Sequence, residues 1–230
     1  MITCLITGAN RGIGLELTRL YAQSGATVIA TARVPDAAVQ LQKLKAAQPG
    51  VHIHALDVTD ALSCAGLAAA LSRRPIDVLI ANAGVIGPRG GIQDPGNTAA
   101  LWAHVLATNV TGVFFTVSAL SPNVAAAAQG KIAIIASRMG SSSAANGSTH
   151  LYRASKAAAA NLGANFAAEF KPKGIAVGVY HPGWVKTEMG GNDADITVAV
   201  SAAGLVKRFA HLSLSTTGVF EDYAGAAIAY

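Results

Sequence analysis

The chain has 230 residues, of which 52% are apolar or aromatic and only 13% charged, which supports one full-sized core and excludes a disordered, charge-rich protein. Lys plus Arg outnumber Asp plus Glu by 17 to 12, a net +5; that balance suits an anionic small ligand, and the scatter of the basic residues excludes nucleic acid as a partner. Mean hydropathy is +0.42, yet the richest stretch, Gly112 to Ala128, is interrupted at Ser121-Pro122-Asn123, so no membrane span is expected; nor is a signal peptide, and a cytoplasmic location follows.

The first strand is expected over 2–7 and runs into Thr7-Gly8-Ala9-Asn10-Arg11-Gly12-Ile13-Gly14, followed by a helix over 12–24. A second strand over 26–32 ends at Ala32-Arg33, and Asp36, after Pro35, is expected to cap a helix over 36–47. A strand over 51–56 ends at Asp57-Val58; a helix over 60–72, a strand over 76–81 and the segment Asn82-Ala83-Gly84 follow. Helix 97–121 carries Asn109, and the fully apolar strand 130–136 delivers Ser137. Helix 151–170 opens with Tyr152-Arg153-Ala154-Ser155-Lys156; strand 174–181 leads to Pro182-Gly183, helix 195–210 and a short seventh strand near 218–221. Strands alternating with helices, without a linker or repeat, predict one α/β domain over 1–230: a doubly wound, mostly parallel seven-stranded sheet with helices on both faces. The ligand crevice then lies at the carboxyl ends of the strands.

Two constellations fall at that edge. In the glycine loop, Gly8, Gly12 and Gly14 let the backbone turn and approach a pyrophosphate, and the following helix start offers free N–H groups and a positive dipole end. Tyr152 and Lys156 lie one turn apart on one helical face, so the ammonium is expected to lower the phenol pKa toward working pH and make it a proton donor and acceptor. Ser137 supplies a hydroxyl where charge develops on a substrate oxygen.

These segments together resemble the short-chain dehydrogenase/reductase family over nearly the whole chain. The resemblance implies a Rossmann-like fold, with Asn82-Ala83-Gly84 as the sheet-stabilising motif and Asp57-Val58 as the adenine-contacting pair. It also implies Asn109 as a fourth catalytic residue, whose main chain holds a water that extends the relay from the lysine. The runs around Ser137-Arg138-Met139-Gly140-Ser141, Tyr152 to Ala158, His181 to Gly191 and Gly218 to Tyr223 are similar to the C-factor-like and carbonyl-reductase-like branch. There Pro182, Gly183, Val185 and Thr187 correspond to the segment that grips the nicotinamide carboxamide. Ala136 departs from relatives that carry a second serine.

At the end of strand two, Ala32 stands where an acid would select the free ribose 2′-hydroxyl, and Arg33 follows; with Arg11 in the glycine loop, this predicts NADP(H) as the cofactor. The expected activity is hydride transfer between that cofactor and a small-molecule carbonyl or alcohol, with Asn109, Ser137, Tyr152 and Lys156 as the catalytic set. The alternative is a dinucleotide-binding regulatory or signalling protein on the same fold. Helices 97–121 and 151–170, the latter rich in alanine, predict a homodimer or homotetramer. A mobile lid is expected near Gly190-Gly191, with Trp184, Met139 and Met189 as candidate pocket residues. Cys4 and Cys64 read as reduced core residues, His52 and His54 as strand residues without a metal, His150 and His181 as loop or strand residues, and Arg89 as a solvated loop cation.

Overall fold

The computed structural model describes residues 2–230. Seven strands, β1 (Thr3–Ile6), β2 (Thr27–Ala32), β3 (Val51–Ala55), β4 (Val78–Ala81), β5 (Lys131–Ile135), β6 (Ala176–His181) and β7 (Phe220–Asp222), alternate with helices α1 (Gly12–Gln23), α2 (Val39–Ala47), α3 (Ala61–Leu71), α4 (Ala99–Leu106), α5 (Gly112–Ala125), α6 (His150–Phe170) and α7 (Val198–His211). The sheet is parallel throughout, in the order β3-β2-β1-β4-β5-β6-β7. The chain winds outward from β1 to β3, then returns to β4 beside β1, so the order reverses between β1 and β4 and opens a crevice at their carboxyl ends.

The period of two in the strands splits the core between the faces. Cys4, Ile6, Val28, Ala30, Val78 and Ile80 meet Leu17 and Tyr21 of α1, Leu41 of α2 and Leu205 and Phe209 of α7. Their neighbours Leu5, Ile29, Leu79, Ile132 and Ile134 face Leu67 of α3, Val113, Val117 and Leu120 of α5 and Phe166 and Phe170 of α6. Burying such a side chain contributes about 1.5–3 kcal/mol, so both faces hold the strand ends in place. Cys4 and Cys64 are buried and free.

Two expectations fail for local reasons. Asp36 caps no helix: Pro35 opens a 3₁₀ turn over Pro35–Ala37, which places Asp36 inside that turn, and α2 starts later, with Ala38 at its N-cap. Nor does Ser121-Pro122-Asn123 interrupt the apolar stretch; α5 continues to Ala125 with Pro122 inside it. Pro122 lacks the N–H that would reach the Ser118 carbonyl, and the Ser121 hydroxyl donates to that oxygen instead, at 3.3 Å. Buried Asn123 ties the helix to the loop before β4, its side-chain amide donating to Arg74 O at 3.0 Å and its main-chain carbonyl accepting from Ile76 N at 3.1 Å. The run Ala99–Ala125, 27 residues through a π-turn at Ala107–Thr111, is therefore long and apolar enough by length and composition to cross a membrane. In the fold its Val113, Val117, Leu120 and Val124 pack on the sheet.

Candidate active site

Thr7 follows directly on β1 with its side chain buried, and its hydroxyl oxygen accepts from the N–H groups of Asn82 and Ala83, both at 3.0 Å. Asn82 returns the contact, its amide donating to Thr7 O at 2.8 Å and Gly8 O at 3.2 Å. The Asn82-Ala83-Gly84 segment thus stitches β4 to β1 where the crevice opens. Sequence reasoning missed Thr7, although its place at the inward register of β1 was the available signal.

The glycines have steric reasons. Gly8 and Gly12 have φ of +64° and +54°, and a Cβ on Gly14 would lie 2.3 Å from Gly8 O and 2.6 Å from Asn82 Nδ2. No side chain caps α1, whose N-cap is Arg11, so the first-turn N–H groups are left to an anionic ligand. Arg11 is exposed and paired with Glu188. Arg33 is exposed, and its charge, after two hydrogen bonds from Thr59, helps to lower the Asp57 carboxyl. Val58 is buried, its side chain packed against Gly112.

On the other side of the crevice, Asn109 sits in the π-turn between α4 and α5, a distortion that frequently marks functional sites. It is fully buried: its amide donates to Val85 O at 2.8 Å and Ser155 Oγ at 3.0 Å, and its Oδ1 accepts from Val85 N at 2.9 Å. Ser155 donates in turn to Tyr152 O at 2.8 Å. Ser155 therefore links Asn109 to the start of α6, a role its place inside the Tyr-x3-Lys motif concealed. A Cβ on Gly84 would lie 3.3 Å from Asn109 Oδ1 and 3.4 Å from Lys156 Nζ, so the three residues converge.

Lys156 is 5% exposed and donates to Ile135 O at 2.8 Å, its Nζ 5.7 Å from the centroid of the Tyr152 ring. Burial lowers its ammonium to about 8. The Tyr152 phenol is pushed up by burial to about 12, against the lowering effects of the Ser137 hydroxyl and the Arg89 charge. The expectation that Lys156 brings the phenol toward working pH is thus corrected: the lysine is turned to a backbone carbonyl, and the Tyr152 phenol is protonated at neutral pH. Ser137, 4% exposed, also accepts from Met139 N at 3.1 Å.

The segment after β6 lies across this crevice. Gly183 has φ +87°, and Ser201 donates to Pro182 O at 2.6 Å. Val185 is buried and bridges Ile196. Thr187 Oγ1 accepts from Gly190 N at 2.9 Å and donates to Val185 O at 3.2 Å, so its hydroxyl is engaged inside the turn. Trp184, 46% exposed, donates to Gly190 O at 2.8 Å. Arg89 is not simply solvated, because its guanidinium donates to Met189 O. His181 is buried, and burial with the nearby Arg138 charge lowers it to about 4, which keeps it neutral. Among the described residues no cluster of side chains could hold a metal ion.

Residues 3–196 match the short chain dehydrogenase family. The chain belongs to that family. It is 32% identical over 233 residues to 1-hydroxy-2-glutathionyl-2-methyl-3-butene dehydrogenase of Rhodococcus sp. (strain AD45), covering 98% of each chain. It is also 36% identical over 152 residues to C-signal of Myxococcus xanthus, over 66% of this chain and 90% of that one. Among solved structures, NADPH-bound carbonyl reductase from chicken fatty liver superposes with a TM-score of 0.91 at 33% identity, covering 99% of this chain and 98% of that one. The family makes this chain an oxidoreductase of the short chain dehydrogenase type.

Proposed function

We propose that this protein transfers hydride between NADP(H) and a small carbonyl or alcohol, with Tyr152 giving or taking the proton at the substrate oxygen. The observation that carries the reading is the convergence of Ser137, Tyr152, Lys156 and Asn109 at the strand ends, across from a glycine loop with an uncapped helix behind it. The dinucleotide, when bound, supplies the hydride. Gly8, Asn10, Gly12, Ile13 and Gly14 would hold its pyrophosphate, with Arg33 and Arg11 on the 2′-phosphate and Asp57 and Val58 at the adenine. Asn82, Ala83 and Gly84 would border the ribose and nicotinamide alongside Tyr152 and Lys156, and Pro182, Gly183, Val185 and Thr187 would hold the carboxamide.

In carbonyl reduction, the Ser137 hydroxyl steadies the substrate oxygen and the Tyr152 phenol, protonated at neutral pH, donates to it. Lys156 returns a proton to the phenol, and a water that the main chain of Asn109 would hold extends the relay from the lysine. Residues 1–230 act as one dinucleotide-binding and catalytic domain. The NADPH-bound relative and the absence of an acid at Ala32 support the phosphorylated cofactor. The alternative, a dinucleotide-dependent signalling role, is favoured by the similarity to C-signal, but an intact catalytic set is what turnover requires.

A homodimer or homotetramer through α4, α5 and α6 is supported by Phe114, 45% exposed, and by the exposed Ala154, Ala157 and Ala168 of α6. We further propose a cytoplasmic location, with neither nucleic acid nor membrane as a partner. NADPH absorbance followed across a panel of aldehydes, ketones and diketones tests the activity; no oxidation with any of them, while NADPH binds, would favour the signalling role. A 23 kDa species in light scattering at micromolar concentration would contradict the oligomer.

A further inference from the structure

The loop between β4 and α4 approaches the catalytic helix more closely than a connection requires. A Cβ on Gly87 would lie 2.8 Å from Leu151 Cδ2, so the loop packs directly on the residue before Tyr152. Two residues before Leu151, Thr149 fixes the same loop to the start of α6: its N–H donates to Gly90 O at 3.0 Å and its hydroxyl to Arg89 O at 3.5 Å. Thr149 does so at φ +55°, a conformation rare for a β-branched residue, which persists only where the surroundings enforce it. The backbone of Arg89 is therefore referenced to the helix that carries the acid.

The side chain of Arg89 extends across the mouth of the site. Its guanidinium donates to Met189 O in the segment 184–191, and Arg11 pairs with the preceding residue, Glu188. Among the described residues no carboxylate pairs with Arg89; the nearby Asp94 is engaged by the N–H groups of Gly90 and Gly96, both at 2.8 Å. The charge therefore has no carboxylate partner, and it opposes the effect of burial on the Tyr152 phenol.

We propose that Arg89 is a positioning residue for hydride transfer, which clasps the 184–191 segment over the site and holds a fixed positive charge against Tyr152. The proposal rests on Tyr152 as the acid. Of the other polar groups around that phenol, Lys156 on α6 is turned to Ile135 O and Ser137 at the end of β5 hydrogen-bonds to it. The charge of Arg138, after β5, acts with burial on His181, on β6, which stays neutral. Arg89 is then the cation whose loss the phenol would register. Closing the segment and setting the acid become one event, because a single guanidinium serves both.

Arg89→Gln and Arg89→Lys, each compared with wild type, test this through two readouts. In alcohol oxidation, where the phenolate is the active form and the positive charge of the oxidised nicotinamide brings the phenol below its ligand-free value of about 12, Arg89→Gln should lower kcat about tenfold and move the rising limb of the kcat profile up by about half to one pH unit. Arg89→Lys, which keeps the charge, should restore the limb. Acrylamide quenching of Trp184, read in a Trp102→Phe background without cofactor, should rise in Arg89→Gln as the segment loosens. A purely structural arginine would lower kcat equally at all pH. A limb that superimposes on wild type in Arg89→Gln, or quenching that does not change, overturns the proposal. Tyr152→Phe run in parallel separates the two assignments: if it turned over normally, the acid would be misassigned, and the quenching arm alone would still decide the clasp.

Discussion

Around Tyr152 the polar groups are committed to the protein interior, whereas along the nucleotide rim they stand in water. Lys156 and Asn109 are buried and bonded to Ile135 O, Val85 and Ser155, while Arg11 and Glu188 keep 60% and 77% of their side chains exposed. The buried side holds its geometry by hydrogen bonds that water cannot replace, so its residues act as a unit and their loss is felt in turnover. On the wet side, charges add small, separable increments to affinity. Substitutions on the two sides should therefore differ in size and in which constant they change.

The largest effect is expected from Tyr152→Phe, which keeps the ring but removes the exchangeable proton. NADPH-dependent carbonyl reduction should fall by about two to four orders of magnitude, while NADPH binding, followed by nucleotide fluorescence, stays within about twofold, since the glycine loop is untouched. Reduction at near wild-type rate would remove the buried side from the chemistry.

Much of this site was legible because the motif residues sit at strand ends and helix starts, where the chain's periodicity changes. Ser137, Tyr152 and Lys156 could be placed from one strand, one turn and one helical spacing, and the parallel sheet with both faces covered followed from apolar strands such as 131–135. What stayed hidden were contacts between segments distant in sequence. Ser155 bonds across to Asn109, Thr7 to Asn82 and Arg89 to Met189, and none of these pairs has a spacing to read. The phenol was misjudged for a related reason: helical spacing places Lys156 on the same face as Tyr152, but the Ile135 carbonyl that draws the ammonium away belongs to another element. Pro122 misled by rule, since a proline ends a helix only when nothing else serves the carbonyl it abandons.

On the rim, the next effect in size concerns cofactor choice. Arg33 is free to meet a 2′-phosphate, and a hydrogen bond to a charged group contributes about 1.5–3 kcal/mol, roughly tenfold or more in affinity. Arg33→Ala should narrow the preference for NADPH over NADH by about that factor, chiefly by raising KM for NADPH with kcat little changed. Equal kcat/KM for the two cofactors in the wild type would show that Arg33 is only a solvated cation.

Returning to the buried side, Lys156 should leave a mark on stability as well as on rate. Its folded value of about 8 lies below the 10.5 of an unperturbed lysine, so between those pH values the unfolded chain binds more protons than the folded one. Stability then rises with pH through that window, and burial of the charged form costs most below pH 8. Between pH 8 and 9.5 the wild type should gain about 2 kcal/mol relative to Lys156→Met, measured as the difference between their urea unfolding free energies. Parallel pH dependences would mean that the ammonium is not desolvated.

The smallest effect separates the two sides most sharply. Glu188→Gln removes the partner of Arg11, but both side chains are largely exposed, and ion pairs of that kind contribute little because water screens them and two long side chains must be held still. The melting temperature should consequently change by no more than about two degrees. Arg11, however, stands at the start of α1, where no side chain caps the helix, and it is expected on the 2′-phosphate. While paired with Glu188 it must leave one anion to meet another. Freed from that partner, it should bind 2′,5′-ADP about two- to fivefold more tightly, an effect below 1 kcal/mol, with 5′-AMP unaffected because it lacks the second phosphate. Titration calorimetry with the two nucleotides reads the difference directly. Equal tightening for both would place Arg11 on the 5′-phosphate instead, and a large loss of stability would mean that the rim is built like the interior after all.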